Sequence, residues 1–313
     1  MPRHRGGGTD SADSSVARVF VRVAFVLSGG ASLGAIQVGM LRALFERRIV
    51  PDLIIGTSIG ALNGVYIASR PATPETVDAL ADIWLRLHRF QIFPPDPITG
   101  LLGLIGLTDH FLPSIGLRRI LRRHQNINRL EDATIPLHVI ATDARSGMER
   151  RLFKGPAQPA VMASAAMPGV FPAVEIDGEQ LIDGGVASNT PTSDAIELGA
   201  RTVFVLPTGH ACDLPHPPRS ALAMAIHANT LLLSRRALVD INRLAGRARL
   251  IVLPPPCPQS VHPADFRHTR KLIDSGYAQA ATVLDNPDVD HSTPPSWLQR
   301  LAPHDHRQAR ILS

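Results

Sequence analysis

The sequence predicts an α/β fold with three layers, in which helices cover both faces of a central, mostly parallel β-sheet. Two strand–turn–helix units follow one another over residues 18–69, and this order is typical of parallel strands joined by crossing helices. The strands of both units are almost continuously apolar, as expected for strands buried on both faces. Of the 313 residues, 44% are hydrophobic and 19% are charged, which is ordinary for a folded domain with a substantial core.

The first unit is predicted as a strand over Arg18–Leu27, a glycine-rich loop over Ser28–Gly34 and an amphipathic helix. Arg47 and Arg48 favour the end of this helix, because cations stabilise the negative end of the helix dipole. The helix itself is indicated by apolar residues three and four positions apart, namely Ile36, Met40, Leu41, Leu44 and Phe45.

The second unit contains a serine between two glycines, Gly56-Thr57-Ser58-Ile59-Gly60. A buried strand over Leu53–Ile55 precedes it, and a helix over Ile59–Ser69 is predicted to follow. A strand that turns directly into a helix holds the turning residue in a strained conformation, and glycines on either side relieve the crowding. The pattern therefore indicates a nucleophile elbow with Ser58 at its tip, although five residues can match by chance and need support from the rest of the chain.

An insertion of helices and loops is predicted over about residues 73–128. It begins with a helix, for which Thr73 is the N-cap and Pro74 the first residue. Residues Gln91–Leu117 are rich in proline and glycine, apolar, and without a steady period. Such a segment is either a lid or binding loop, or an ordinary helical insertion packed on the sheet, and the sequence leaves both interpretations open.

The remaining elements complete the sheet and its cover. A hairpin built on Asp177-Gly178-Glu179 is predicted between strands Val174–Ile176 and Gln180–Ile182, and it runs directly into Asp183-Gly184-Gly185. Further strands are predicted over Leu137–Thr142, Arg150–Phe153, Val203–Leu206 and Leu250–Leu253, and helices over Ala160–Ala166, Ser220–Leu244 and Ala264–Leu284. The chain is thus predicted as one domain over residues 18–285, with a disordered segment at 1–17 and a loose tail at 286–313.

The charge balance and the number of cysteines argue against a nucleic-acid partner, a disulfide framework and a zinc site. The net charge is +5 without a long basic block, so no nucleic-acid partner is predicted. The densest basic cluster, Arg118–His124, is either a solvated helix face or a contact for lipid headgroups. Cys212 and Cys257 are too few for a disulfide framework or a zinc site, and they fit a reducing compartment. No segment resembles a secretory signal or a membrane span, so we expect a cytoplasmic protein that is soluble or peripheral to a membrane.

Two further features can serve acyl transfer at Ser58. The loop Gly29–Gly34 opens a helix, so its amides can stabilise the negative charge that develops on a carbonyl oxygen under attack. The loop can instead be a phosphate or dinucleotide cradle, but its glycine spacing is not G-x-G-x-x-G and no P-loop lysine follows it. Asp183, at a strand end before two glycines, is either a turn aspartate or a partner of the serine.

Four blocks of the sequence, taken together, carry a family resemblance. They are Ser28-Gly29-Gly30 through Gly39, the Gly56–Gly60 turn, Ala163–Pro172 and Asp183–Pro191. In this order they resemble the patatin-like phospholipase family. The resemblance covers Val19–Thr208 and, more weakly, the two helices that follow.

The resemblance implies a serine lipid acyl hydrolase that cleaves fatty-acyl esters of phospholipids or other lipids, with a membrane surface as the place of contact. It implies a catalytic dyad of Ser58 as nucleophile and Asp183 as its partner, without a metal or an organic cofactor. The backbone of Gly29, Gly30 and Ala31 is implied to form the oxyanion hole. The glycines implied to support these motifs are Gly34, Gly56, Gly60, Gly184 and Gly185.

The glycine-rich loop departs from the family pattern, which usually has a third glycine and a basic residue where this chain has Ala31 and Leu33. The amides survive the first change provided that Ala31 avoids a positive φ, which costs a residue with a side chain about 1–2 kcal/mol. Without the basic side chain, the attraction for a phosphate headgroup is expected to be weaker.

A dyad without histidine requires a basic carboxylate, and burial must raise the pKa of Asp183 above the value of about 4 that is usual in water. Two alternatives stay open: a lipid-binding or regulatory protein with impaired turnover, and a Ser–His–Asp esterase. His262 and His268 lie at a predicted helix start and are interpreted as solvated. The oligomeric state is not predicted.

Overall fold

The computed structural model describes residues 21–209, 219, 221–257 and 261–286. The predicted disordered segment at 1–17, the first residues of the predicted opening strand at 18–20 and residues 287–313 of the predicted tail lie outside this part of the chain.

The strands of the described residues form one mixed sheet. They are β1 Val23–Leu27, β2 Leu53–Thr57, β3 Leu137–Asp143, β4 Glu149–Leu152, β5 Val174–Ile176, β6 Glu179–Asp183, β7 Thr202–Leu206 and β8 Arg249–Val252. Their order is β5-β6-β3-β2-β1-β7-β8, with β4 paired to β3 outside this order. The run from β3 to β8 is parallel, whereas β4, β5 and β6 add an antiparallel edge. The prediction of a mostly parallel sheet is confirmed.

Helices cover both faces of this sheet. In chain order they are α1 Ala35–Glu46, α2 Ile59–Ala68, α3 Pro74–Arg86, α4 Arg89–Ile92, α5 Pro97–Leu104, α6 Ile115–His124, α7 Ala157–Ser164, α8 Gly185–Ser188, α9 Thr192–Glu197, α10 Ala221–Leu244 and α11 Thr269–Leu284. Within the described residues, none is both long and apolar enough to cross a membrane. Because side chains alternate along a strand, Phe25 of β1 enters a core shared with α1, α2 and α11, while Val26 enters a second core with α9 and α10. The three-layer arrangement is therefore confirmed.

Two predicted elements are shorter in the structure. Residues 21 and 22, which were predicted in the opening strand, precede β1, which begins at Val23. α11 begins at Thr269 rather than Ala264, because the side chain of Asp265 accepts the amide of Arg267 at 2.9 Å and holds a turn there. Local hydrogen bonds of this kind compete with the helix for the backbone amides.

The contact between α1 and α11 depends on two glycines. A methyl group at Gly39 would overlap the carbonyl group of Ile273, and one at Gly276 would overlap the carbonyl group of Ile36. The two helix backbones can therefore approach more closely than side chains would allow. This contact fixes α1, whose amino end carries the glycine-rich loop.

The insertion consists of short helices separated by loops. Thr73 precedes α3 as predicted, although its side chain makes no capping hydrogen bond. α6 packs against α4 and α7, whereas α5 buries none of its side chains. Between α5 and α6, the amides of Phe111 and Leu112 donate to the carbonyls of Gly169 and Val170 at 2.9 Å each. The segment is thus partly helical, and the lid and the ordinary packed insertion both remain as alternatives.

Cys257 is disulfide-bonded. The expectation of two reduced cysteines is therefore wrong for this residue. Cys212, the only other cysteine of the chain, lies outside the described residues.

Candidate active site

Ser58 lies at the turn between β2 and α2, in a conformation that residues with a side chain rarely adopt (φ 54°, ψ −121°). Gly56 and Gly60 make this turn possible. A Cβ atom at Gly56 would lie 2.5 Å from the carbonyl oxygen of Gly60, and one at Gly60 would overlap the carbonyl group of Leu27. The strained turn between two crowded glycines is the geometry expected of a nucleophile elbow.

The structure brings Asp183 to Ser58, although 125 residues separate them in the chain. Asp183 ends β6, and its carboxylate accepts a hydrogen bond from the serine hydroxyl, with 2.7 Å between Oγ and Oδ2. The other carboxylate oxygen, Oδ1, accepts the amide of Gly185 at 2.7 Å. A methyl group at Gly184 would overlap the carbonyl group of Ile140 on β3. Gly184 and Gly185 thus permit the close packing that directs the carboxylate at the serine.

Burial raises the pKa of the Asp183 carboxyl group to about 6, while the hydrogen bonds from Ser58 and Gly185 oppose the rise. The rise follows because a site with little water disfavours the charged form of a carboxyl group. At pH 7 the group is mostly ionised, yet it is more basic than an aspartate in water. Such a carboxylate is suited to accept a proton from a hydroxyl group.

The glycine-rich loop, Ser28–Gly34, lies directly beside the serine. A Cβ atom at Gly29 would lie 3.1 Å from the Cβ atom of Ser58. The amide of Gly29 donates to the Asn189 carbonyl at 3.3 Å, and the carbonyl of Gly29 accepts the Thr208 hydroxyl at 2.5 Å. The loop is therefore fixed in place by residues that follow β6 and β7.

The free amides of this loop are those of Gly30 and Ala31. The amides of Ser32 and Leu33 donate to backbone carbonyls at 2.9 and 3.1 Å. In the part of the chain that the structure describes, no group accepts the amides of Gly30 or Ala31. Of the three residues that the family resemblance implied as oxyanion donors, only Gly29 has its amide engaged, which leaves two donors for a ligand.

Ala31 has a φ of 51°, within the left-handed region. The condition that this residue avoids a positive φ is therefore not met. The left-handed conformation costs a residue with a side chain about 1–2 kcal/mol, whereas glycine adopts it freely. The loop keeps its two free amides in spite of this strain.

We expect Ala31→Gly to raise the free energy of unfolding by about 0.5–1 kcal/mol, because the relieved strain exceeds the entropy that glycine adds to the unfolded chain. Urea unfolding measures the difference. Ala35→Gly is the matched control, because Ala35 has a φ of −58° and carries no such strain. We expect this variant to have a free energy of unfolding about 1 kcal/mol lower than the unsubstituted protein. Equal losses in the two variants would contradict the strain at Ala31.

Ser164 is a site residue that the sequence did not single out. Its buried hydroxyl oxygen accepts the amide of Ser58 at 2.8 Å. Its carbonyl accepts the amide of Gly184 at 3.2 Å. This one residue therefore positions both the serine turn and the segment that carries Asp183. Its signal in the sequence is its place in the small-residue block 163–172, which only the family resemblance marked.

No histidine of the described residues hydrogen-bonds Ser58 or Asp183. The imidazole Nδ1 of His262 instead accepts the amide of Ala264 at 3.1 Å, and His268 lies exposed before α11. Five later histidines lie outside the described residues: His210, His216, His291, His304 and His306. Among the residues described, the serine and the carboxylate form a pair.

Comparison with known proteins gives a family match and several similar curated proteins. The model of the patatin-like phospholipase family matches residues 25–196, more than half of the chain. Rat patatin-like phospholipase domain-containing protein 7 and human patatin-like phospholipase domain-containing protein 6 are each 30% identical over 200 residues, which is 63% of this chain and 14% of each relative. Lysophospholipase NTE1 of Candida glabrata is 28% identical over 198 residues, 61% of this chain and 11% of that protein. The matches thus span only a small part of these relatives.

Two solved structures are also similar. VipD from Legionella pneumophila aligns with a TM-score of 0.43 and 14% identity, over 85% of this chain and 67% of that one. Human GIVD cytosolic phospholipase A2, in complex with methyl gamma-linolenyl fluorophosphonate, aligns with a TM-score of 0.37 and 11% identity, over 90% and 59%. The matched range 25–196 includes the serine turn, the glycine-rich loop and Asp183, and the chain belongs to the patatin-like phospholipase family.

Proposed function

We propose that the protein is a serine lipid acyl hydrolase, which cleaves fatty-acyl ester bonds of phospholipids or other lipids. The observation that carries the proposal is the 2.7 Å hydrogen bond from Ser58 Oγ to a buried carboxylate, at a strained turn beside a loop that has two free amides. The family, and the names phospholipase and lysophospholipase among the relatives, support a lipid substrate.

In the proposed first half-reaction, Ser58 Oγ attacks the carbonyl carbon of the ester and its proton passes to Asp183 Oδ2. Negative charge then develops on the carbonyl oxygen. The amides of Gly30 and Ala31 can receive that oxygen, and each such donor stabilises the transition state by about 3–4 kcal/mol. The intermediate collapses, the bond to the leaving alcohol breaks, and Asp183 returns the proton to that alcohol.

In the second half-reaction, water attacks the acyl-Ser58 ester. Asp183 accepts a proton from the water and then gives it to Ser58 Oγ as the fatty acid leaves. One residue thus serves as base and as acid in each half-reaction. The raised pKa of Asp183, about 6, suits both tasks because proton transfer is efficient in both directions near neutral pH.

A lipid-binding protein with impaired turnover is the second candidate, and the strained Ala31 in the oxyanion loop is the observation that favours it. A Ser–His–Asp esterase has no comparable support, since no histidine of the described residues contacts the dyad.

Reaction with a fluorophosphonate separates the two candidates, because only an activated serine is phosphonylated. We expect stoichiometric labelling of the purified protein, with peptide mass spectrometry locating the adduct at Ser58. Ser164→Ala keeps Ser58 but removes the acceptor of its amide, and we expect slower labelling of the same residue. A protein that stays unlabelled while it binds lipid would support the second candidate instead.

A further inference from the structure

The insertion exposes an unusual concentration of apolar side chains. Eight of the fifteen exposed large hydrophobic residues among the described residues lie between positions 90 and 115. α5 and the turn after it contribute most of them, with exposures such as 75% for Leu104 and 70% for Leu107. We define the apolar face as Phe90, Ile98, Leu101, Leu104, Ile105 and Leu107. Soluble monomeric proteins rarely expose large apolar patches, and such a patch usually marks a site of interaction.

A row of arginines lies on the neighbouring helix, α6. Arg118, Arg119, Arg122 and Arg123 are exposed, while Leu117 and Leu121 on the other side of the helix are buried. Residues three and four positions apart share one side of a helix, so these four form the arginine stripe. None of the four pairs with an acidic side chain in the described part of the chain. Their charges are therefore available to a partner.

Phe90, one residue of the apolar face, lies beside the helix that carries the arginine stripe. α4 packs against α6, and a Cβ atom at Gly116 would overlap the carbonyl group of Gln91. The first turn of α6 therefore lies on the backbone next to Phe90. Ile115, which is 56% exposed, continues the apolar surface onto the start of α6, directly before the stripe.

The insertion is also tied to the active site. The amides of Phe111 and Leu112 donate to the carbonyls of Gly169 and Val170. Gly169 and Val170 lie just after α7, whose last residue, Ser164, accepts the amide of Ser58. α5, which carries most of the apolar face, packs on the residues just before Phe111, because a Cβ atom at Gly103 would lie 2.6 Å from the carbonyl oxygen of His110. The insertion is thus connected to the serine turn through residues 164–170.

We propose that the apolar face and the arginine stripe together bind the surface of an anionic phospholipid bilayer and so hold the Ser58 site at the lipid. The proposal rests on the proposed lipid substrate. Apolar side chains that enter the acyl boundary, beside arginines that contact headgroup phosphates, are the composition of an interfacial membrane contact.

Charge selects the bilayer over other occupants of this surface. A second copy would bring two unpaired arginine stripes together, which is unfavourable. A nucleic acid would satisfy the arginines but leave the apolar face in water. An anionic bilayer satisfies both groups at once, and each arginine near it strengthens binding about five-fold.

Co-sedimentation of Ser58→Ala protein with lipid vesicles tests this binding without turnover. We expect strong binding to vesicles of phosphatidylcholine and phosphatidylglycerol in roughly equal parts, and weak binding to phosphatidylcholine alone. A variant in which glutamine replaces all four arginines of the stripe should bind the mixed vesicles two to three orders of magnitude more weakly, because each arginine contributes about five-fold. Its substitutions are Arg118→Gln, Arg119→Gln, Arg122→Gln and Arg123→Gln. Leu101→Ser, Leu104→Ser and Leu107→Ser together should also weaken binding to the mixed vesicles.

The matched control is a second set of four exposed arginines at the amino ends of the parallel strands, the opposite edge from Ser58. It consists of Arg22→Gln, Arg48→Gln, Arg201→Gln and Arg247→Gln. We expect this variant to bind mixed vesicles within about two-fold of the unsubstituted protein. Unfolding midpoints of all variants verify that each is folded, since the substituted side chains are exposed.

Equal weakening by both arginine sets would overturn the proposal, since it would reflect net charge alone. A lack of binding to mixed vesicles would also overturn it. So would a dimer, detected by analytical ultracentrifugation, that is lost only when the three leucines are replaced by serine. Hydrolysis of a soluble acyl ester by the wild-type protein is measured alongside. Ester hydrolysis without vesicle binding contradicts the docking surface alone, and vesicle binding without ester hydrolysis contradicts the proposed function alone.

Discussion

Asp183→Asn is expected to lower kcat for acyl-ester hydrolysis by about 10³–10⁴-fold. Asparagine keeps the shape of the side chain and can still accept the hydrogen bond from Ser58 Oγ, but it cannot take the serine proton. Substrate binding should change little, so the loss falls on kcat rather than on KM. Steady-state hydrolysis of a chromogenic acyl ester measures both constants.

The same substitution is expected to stabilise the fold above pH 6. Burial raises the pKa of Asp183 from 3.8 to about 6, so the folded protein holds this proton more tightly than the unfolded chain. The resulting stability is complete below about pH 4 and is lost as the pH rises through about 6. Asparagine does not ionise, and at about pH 8 the variant should gain up to roughly 3 kcal/mol in the free energy of unfolding. Urea unfolding at about pH 4 should show no such gain.

Asp143→Asn is the matched control for this prediction. Asp143 ends β3, and hydrogen bonds from the amides of Arg145 and Ser146, with the charge of Arg150, lower its pKa. Its contribution to stability is present above the unfolded pKa and is lost as the pH falls. We therefore expect Asp143→Asn to lose stability near neutral pH and to keep ester hydrolysis. Near-normal turnover by Asp183→Asn would show that the carboxylate is not the base.

Gly30→Ala is expected to lower kcat by about 10²–10³-fold through loss of the oxyanion donors. A methyl group at Gly30 would overlap the hydroxyl group of Thr208 and lie 2.6 Å from its Cβ atom. The loop must therefore move, and the amides of Gly30 and Ala31 move with it. Steady-state kinetics of the same acyl ester measure the loss.

Gly209→Ala is the control for added bulk beside the loop. Among the described residues, a Cβ atom there would meet only the Leu33 side chain at 3.7 Å, an ordinary van der Waals contact. This variant should keep its kcat and its unfolding midpoint. Equal kcat values for Gly30→Ala and Gly209→Ala, with both proteins folded, would show that the loop does not hold the reacting oxygen.

The sequence was sufficient for the frame of the site. An apolar strand, a serine between glycines and a small-residue helix specify the strained turn at Ser58, because few other residues fit there. β6 runs from the hairpin at Asp177-Gly178 to Asp183. Its pairing with β3 places the Asp183 carboxylate beside the serine. Local turn chemistry and strand order thus bring Ser58 and Asp183 together.

The finer geometry could not be predicted, because it depends on contacts between distant segments. The positive φ of Ala31 arises where the loop is held by Asn189 and Thr208, and an alanine gives no signal of it. Ser164 resembles any small helical residue until the amide of Ser58 meets its hydroxyl group. Likewise, the apolar character of the insertion is visible in the sequence, but a segment without a steady period does not reveal which side faces water.

Release of fatty acid from a panel of lipids, by the purified protein and by Ser58→Ala, tests the central claim most directly. The panel includes a diacyl phospholipid, a lysophospholipid and a neutral acylglycerol. We expect the wild-type protein to release fatty acid from at least one of them, and Ser58→Ala to release none above the background rate. Undiminished release by Ser58→Ala, or no release from any lipid by the wild-type protein, would contradict acyl transfer through Ser58.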